Sequence, residues 1–163
     1  MTKLEISLLG GFDILVDGTL LTAIKTQKAK ALFAYLLMHP AKSFSRGVLA
    51  TLLWPEQSAE KSSHSLRQAL STLRKNVPET AGQFIVNRFE ISFAPSAQIN
   101  IDVFQFQNLV SANEQTSLGL SIYKGPFLDG FAPNASAEFE TWMLGQREEL
   151  QAKFLISCLR IAP

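Results

Sequence analysis

Residues Ser62–Lys75 read SSHSLRQALSTLRK. On a helix, Leu66, Ala69, Leu70 and Leu73 fall on one side, and His64, Arg67, Gln68, Ser71, Arg74 and Lys75 on the other. An apolar stripe against a polar face is ordinary for a helix half-buried in a domain. The polar face is less ordinary, because it holds basic, hydroxyl and amide groups and no acid. A face that serves solubility alone mixes charge signs. The spacing predicts a helix over Ala59–Asn76. The composition of its outer face points to a polyanion partner.

The pattern upstream is also helical. Ala29, Leu32, Phe33, Leu36 and Leu37 recur at helical spacing after Thr26, and Pro40 ends the run. Ser45 is a candidate N-cap for a second helix whose apolar face is Val48, Leu49, Leu52 and Leu53, closed by Pro55. Downstream, Phe84, Val86, Ile91 and Phe93 flank Asn87-Arg88 in alternation, which predicts a β-hairpin with Asn87-Arg88 at or near its tip. At the N-terminus Leu4, Ile6 and Leu8 alternate with polar residues. Strands at Phe12–Val16 and Thr19–Leu21 follow, joined by Asp17-Gly18, and a small antiparallel sheet is expected.

Past Pro95 the pattern changes. The stretch PSAQIN, residues 95–100, reads as a linker, with residues 1–95 as one domain and 96–163 as another. Asp102 is a candidate cap for a helix with Val103, Phe106, Leu109 and Val110 inside. A short helix is expected at Gln115–Tyr123, then the loop GPFLDGF. A long helix capped by Ser136 has Phe139, Trp142, Met143, Gln146, Leu150, Phe154 and Leu155 on one face. FLISCLRIAP is still amphipathic where it reaches Pro163, so a fragment of a longer protein is expected.

The bulk numbers narrow the field. The 163 residues are 47% hydrophobic and 18% charged, which predicts a folded chain rather than a disordered one. The formal charge of +1 hides an asymmetry: residues 1–95 carry +4 and residues 96–163 carry −3. The single cysteine, Cys158, excludes an internal disulfide. The start MTKLEISLLGGF lacks the form of a secretion signal, and the longest apolar run, Ala31–Met38, is too short to span a bilayer. A cytoplasmic, membrane-free location is expected. No Gly-rich phosphate loop and no HExxH occur, and two histidines and one cysteine in separate segments make a poor metal set. Neither cofactor nor metal is expected, and no residue constellation supports an enzyme.

The outward residues of the third helix have readable chemistry. Arg67 suits guanine O6 and N7, and Gln68 suits adenine. His64 and Ser71 share that face. Arg74 and Lys75 suit phosphates, which position a protein without reading sequence. Arg88 at the hairpin tip suits the minor groove or a phosphate. Ser45 and Arg46 stand at the second helix's N-terminus, where backbone amides favour a phosphate. The competing reading of each is a solvated surface residue, and for Ser45 a plain cap. Lys25, Lys28 and Lys30 read as general surface charge. Trp54, Phe139 and Trp142 read as core, the last two between the domains.

The motifs LLGGFDILVDG, KAKALFAYLLMHPAKSFSRGVLATLLWP and HSLRQALSTLRK, taken in order, resemble the DNA-binding domain of SARP-type activators, an OmpR/PhoB-type winged helix-turn-helix. IDVFQFQNLV, YKGPFLDGF and FETWMLGQREEL resemble the start of the bacterial transcriptional activator domain (BTAD) that follows it in that family. The resemblance implies an α+β fold, with a winged helix and its small sheet followed by an all-α, TPR-like helical segment. It implies a cytoplasmic bacterial transcription activator whose third helix enters the major groove of double-stranded DNA. It further implies a homodimer docked head-to-tail on direct repeats, with Glu56, Gln57 and Ser58 in a loop that touches RNA polymerase. The alternative is a winged-helix and TPR-like protein-interaction module, without DNA binding, inside a larger signalling protein.

Overall fold

The alternation at the N-terminus forms β1 (Leu4–Ser7), with Leu4 and Ile6 buried, paired antiparallel to β2 (Asp13–Val16). The computed structural model describes residues 2–112 and 116–161. Asp17 and Gly18 both take positive φ, 50° and 83°, and turn the chain into β3 (Thr19–Leu20), in the two-residue hairpin geometry that Asp-Gly favours.

Three helices follow. Thr26 caps α1 (Gln27–Leu37), Ser45 caps α2 (Arg46–Leu53) and Ser58 caps α3 (Ala59–Asn76), each accepting from the amide three residues on. Leu66, Ala69, Leu70 and Leu73 of α3 are all buried. The face expected of α2 is corrected at one position. Leu49 and Leu53 are buried, but Val48 is 56% exposed and Ala50 takes the inward place. Leu49, Ala50 and Leu53 share an arc of about 100° on the helix, and Val48 falls about 100° outside it.

A strand that local periodicity does not reveal, β4 (Phe44–Ser45), leads into α2. It pairs with β6 (Glu90–Pro95), which pairs with β5 (Gly82–Val86), in the order β4-β6-β5. Phe84 and Phe93 face each other across the hairpin and pack on Phe33 of α1. The hairpin is therefore anchored in the core at its root and projects from it at its tip.

The stretch expected as a linker is not one. Ile99–Ile101 forms β7, parallel to β1 with Leu4 opposite Ile99 and Ile6 opposite Ile101, so the first sheet has the order β3-β2-β1-β7. The sheet is mixed rather than wholly antiparallel. Asp102 is corrected as well. It is the first residue of α4 (Asp102–Ser111), and Ile101 occupies the cap position. Its carboxylate accepts from the amides of Leu8 at 2.9 Å and Leu9 at 3.0 Å, which tethers α4 to the end of β1.

α5 (Thr116–Ile122) packs on α4, and Gly119 allows the close approach: a Cβ there would lie 2.8 Å from Val110 Cγ1. The expected start of this helix at Gln115 lies outside the described residues. The GPFLDGF loop seals against β1 through Gly10 N to Pro126 O at 2.9 Å and Leu128 N to Leu8 O at 2.7 Å. Gly10 and Gly125 meet backbone to backbone, which explains a glycine at each.

Ser136 caps α6 (Ala137–Ile161) by accepting from Phe139 N, and its own N–H donates to Leu52 O of α2 at 2.9 Å. Phe139, Met143 and Leu150 are buried, with Trp142, Gln146 and Phe154 at the margin. Leu155, expected on that face, is 53% exposed, and Ser157 is buried instead. Tyr35, His39 and Phe44 of the first half meet Trp142 and Phe139 of α6 in one aromatic cluster. The core of the first half thus runs without a break into the helical region.

Candidate nucleic-acid interface

The outward face of α3 is built as its spacing requires. Its buried side fixes the helix against α1 and α2, so His64, Arg67, Gln68, Ser71, Arg74 and Lys75 must point away, and all six are exposed. They cover an arc of about 120° at 100° per residue. Lys61 adds a seventh polar side chain near that arc. One acid is also present. Glu60, one turn before His64 and on the same side, sits in the first turn, where the helix dipole favours an acid. The acid-free composition therefore begins one turn into the helix.

The turn between α2 and α3 is closed by its own polar groups. Glu56 pairs with Lys28 at 3.2 Å, Gln57 Oε1 accepts from Ser65 Oγ at 2.8 Å, and Ser58 Oγ accepts from Lys61 N. A backbone hydrogen bond at Glu56 itself, then the Lys28 ammonium, holds the Glu56 carboxyl below the usual range. Lys28 also lies over the Trp54 ring, 5.8 Å from its centroid. Lys28 is therefore a structural partner of this turn rather than general surface charge, and Trp54 is buried as expected.

The second group of site residues lies where β4 runs into α2 beside the hairpin tip. The hairpin loop is Arg88-Phe89, one residue later than Asn87-Arg88, because Asn87 N already donates to Glu90 O at 3.1 Å. Asn87 Oδ1 accepts from the amides of Phe89 and Glu90, both at 2.8 Å. Arg46 joins the two elements. Its backbone N–H donates to Phe89 O at 2.9 Å and its guanidinium to Asn87 O at 3.2 Å. Part of Arg46's hydrogen-bonding capacity is thus spent on positioning the tip. Ser45 accepts from Val48 N at 3.3 Å, so the cap role is real. Arg88 is exposed, with its guanidinium 5.8 Å from the Phe89 ring.

Sequence reading missed Phe89, which is 72% exposed. It stands two residues before Ile91 and four before Phe93, so strand alternation alone assigns it to the buried face. The two-residue loop interrupts the strand and turns the ring outward. The signal that locates it is Asn87, whose side chain can accept from the amides two and three residues on and so end the pairing.

Three helices with the third exposed along its outer face, and a hairpin closing a three-stranded sheet beside them, define a winged helix. Residues 22–90 match the family described as "Transcriptional regulatory protein, C terminal". The match ends at Glu90, inside the hairpin just described. The fold resembles that of Mycobacterium tuberculosis EmbR, solved in complex with a low-affinity phosphopeptide, with a TM-score of 0.73 over 94% of this chain at 19% identity. The chain spans 44% of that EmbR chain. The shared fold includes both the winged helix and the helical region behind it. No curated protein matches the sequence. Among the described residues, no helix is long and apolar enough to cross a membrane, and no group of His, Cys, Asp and Glu could hold a metal.

Proposed function

We propose that the chain is the DNA-binding end of a SARP-type transcription activator, reading duplex DNA with α3 in the major groove. The observation that carries the reading is the exposed His64, Arg67, Gln68, Ser71, Arg74 and Lys75 face, acid-free from Lys61 onward and held rigid by a fully buried opposite side. Arg67 and Gln68 read base edges, with His64 and Ser71 beside them. Arg74 and Lys75 hold phosphates. The N-terminus of α2, with Ser45 and Arg46, faces a phosphate strand, and Arg88 reaches the minor groove or backbone. Tandem homodimers on direct repeats and a polymerase contact through Glu56, Gln57 and Ser58 complete the proposal. The helical region from α4 onward takes the part of a TPR-like activator domain, with 1–95 and 96–163 as functional units.

The fixed loop between α2 and α3 supports the polymerase assignment, because a preorganised loop loses little entropy on docking. Selection from a random duplex library at physiological salt tests the reading. An enriched repeated motif, lost when Arg67→Ala and Gln68→Ala are combined, is the expected result. A chain that binds only weakly, without sequence preference, fails it and leaves a winged-helix interaction module as the remaining reading.

A further inference from the structure

The hairpin tip carries a group that phosphate contact does not explain. Phe33, Phe93, Phe106, Phe127 and Phe139 are fully buried, whereas Phe89 is 72% exposed. Its backbone is nevertheless held on both sides: its N–H donates to Asn87 Oδ1 at 2.8 Å, and its carbonyl accepts from Arg46 N at 2.9 Å. A rigid backbone presenting an unpacked ring differs from a mobile loop that happens to contain one. Arg88 lies 5.8 Å from the ring centroid and the Arg46 guanidinium binds the loop at Asn87 O, against one acid, Glu90.

We propose that Phe89 is a wedge that inserts from the minor groove against a base step, with Arg88 beside it on the groove floor or backbone. This rests on the reading that α3 and the hairpin engage duplex DNA. Apolar side chains used this way partly unstack one step and bend the duplex toward the major groove. Flexible pyrimidine–purine steps resist this least, so the wedge also reads deformability at a position where no base edge is hydrogen-bonded. The flanking cations supply the attraction that brings an apolar ring against a polyanion.

The test uses the full chain on its selected operator, with binding followed by fluorescence anisotropy and bending by energy transfer between the duplex ends. Phe89→Ala is expected to weaken binding about tenfold, the worth of one base–aromatic contact. It should also straighten the duplex and leave the salt slope unchanged. Phe89→Leu keeps part of the affinity and of the bend. Arg88→Ala lowers the salt slope by about 0.9 instead. Replacing the pyrimidine–purine step under the tip by a stiff A-tract step weakens the wild type but not Phe89→Ala. Because the ring packs on no core residue, the melting temperature of both Phe89 variants stays at the wild-type value. An operator bound and bent equally by wild type and Phe89→Ala overturns the wedge and leaves the α3 reading intact. A chain that selects no operator overturns both.

Discussion

Asp102→Ala tests how the helical region is joined to the winged helix. The carboxylate accepts from two part-buried amides, Leu8 N and Leu9 N, across more than ninety residues of chain. Truncation leaves both donors unpaired, at about 1–3 kcal/mol each where water cannot reach them. Relief of the carboxylate's own burial offsets part of that loss, so about 2 kcal/mol is expected near neutral pH. For a chain of this size that lowers Tm by about 4–8 °C. The pH dependence is the sharper part. Burial raises the Asp102 pKa, outweighing the hydrogen bonds from Leu8, Leu9 and Val103 and the charge of Lys124. The folded chain therefore keeps this proton to higher pH than the unfolded chain does. Asp102's contribution is fully present below the unfolded value of about 3.9 and declines as pH rises through the raised folded value. Denaturant unfolding of wild type and Asp102→Ala across pH 4–7 should show a gap that is widest at the acid end and narrows upward. A gap that widens with pH, as for an ion-paired carboxylate, refutes the assignment. A gap below about 0.5 kcal/mol throughout shows that water serves Leu8 and Leu9 equally well.

Gly82→Ala should destabilise the chain by about 2 kcal/mol or more in a denaturant titration, because the new Cβ would lie 2.5 Å from Phe93 Cζ and 2.8 Å from Ala94 O at the hairpin root. Leu73→Ala should cost about 2–5 kcal/mol by the same assay, since Leu73 is fully buried under the outward face of α3. Arg74→Ala should lower the slope of log K against log salt by about 0.9 while leaving the selected motif unchanged, which sequencing of a second selection would check. Glu56→Ala, which removes the ion pair with Lys28 and the carboxylate's hydrogen bond to its own backbone, should leave operator affinity unchanged and lower transcription in a purified polymerase assay.

What the sequence revealed and what it hid divide along one physical line. Helix α3 was legible in full, because eighteen residues of one period fix both which side is buried and which residues face out. The caps at Ser45 and Ser136 were legible for the same local reason. β4 and β7 were not, because two or three residues show no period and exist as strands only through partners far along the chain. Asp102 was assigned to its own helix because that is where a local rule places it. Its partners, Leu8 and Leu9, become neighbours only when β7 aligns beside β1.

The same division bears on the candidate interface. Groups on α3 are read from a helix's own geometry, so a reader of the sequence can name them but cannot tell a contact from a solvated face. Groups at the hairpin tip depend on where the loop falls, and Phe89, in step with Ile91 and Phe93 by alternation alone, is instead 72% exposed. Arg46 bears on the proposed role of that ring. Its backbone N–H donates to Phe89 O as any residue there would, but its guanidinium adds a second bond, to Asn87 O. By doing so it joins the start of α2 to the hairpin tip, so that under the proposed DNA contact a phosphate strand at α2 would set where the ring lands. Arg46→Ala should therefore impair bending as well as affinity, whereas Arg46→Lys, which keeps the charge but not the forked reach to Asn87, should restore the salt slope and not the bend. Equal recovery of both by lysine would assign Arg46 to charge alone.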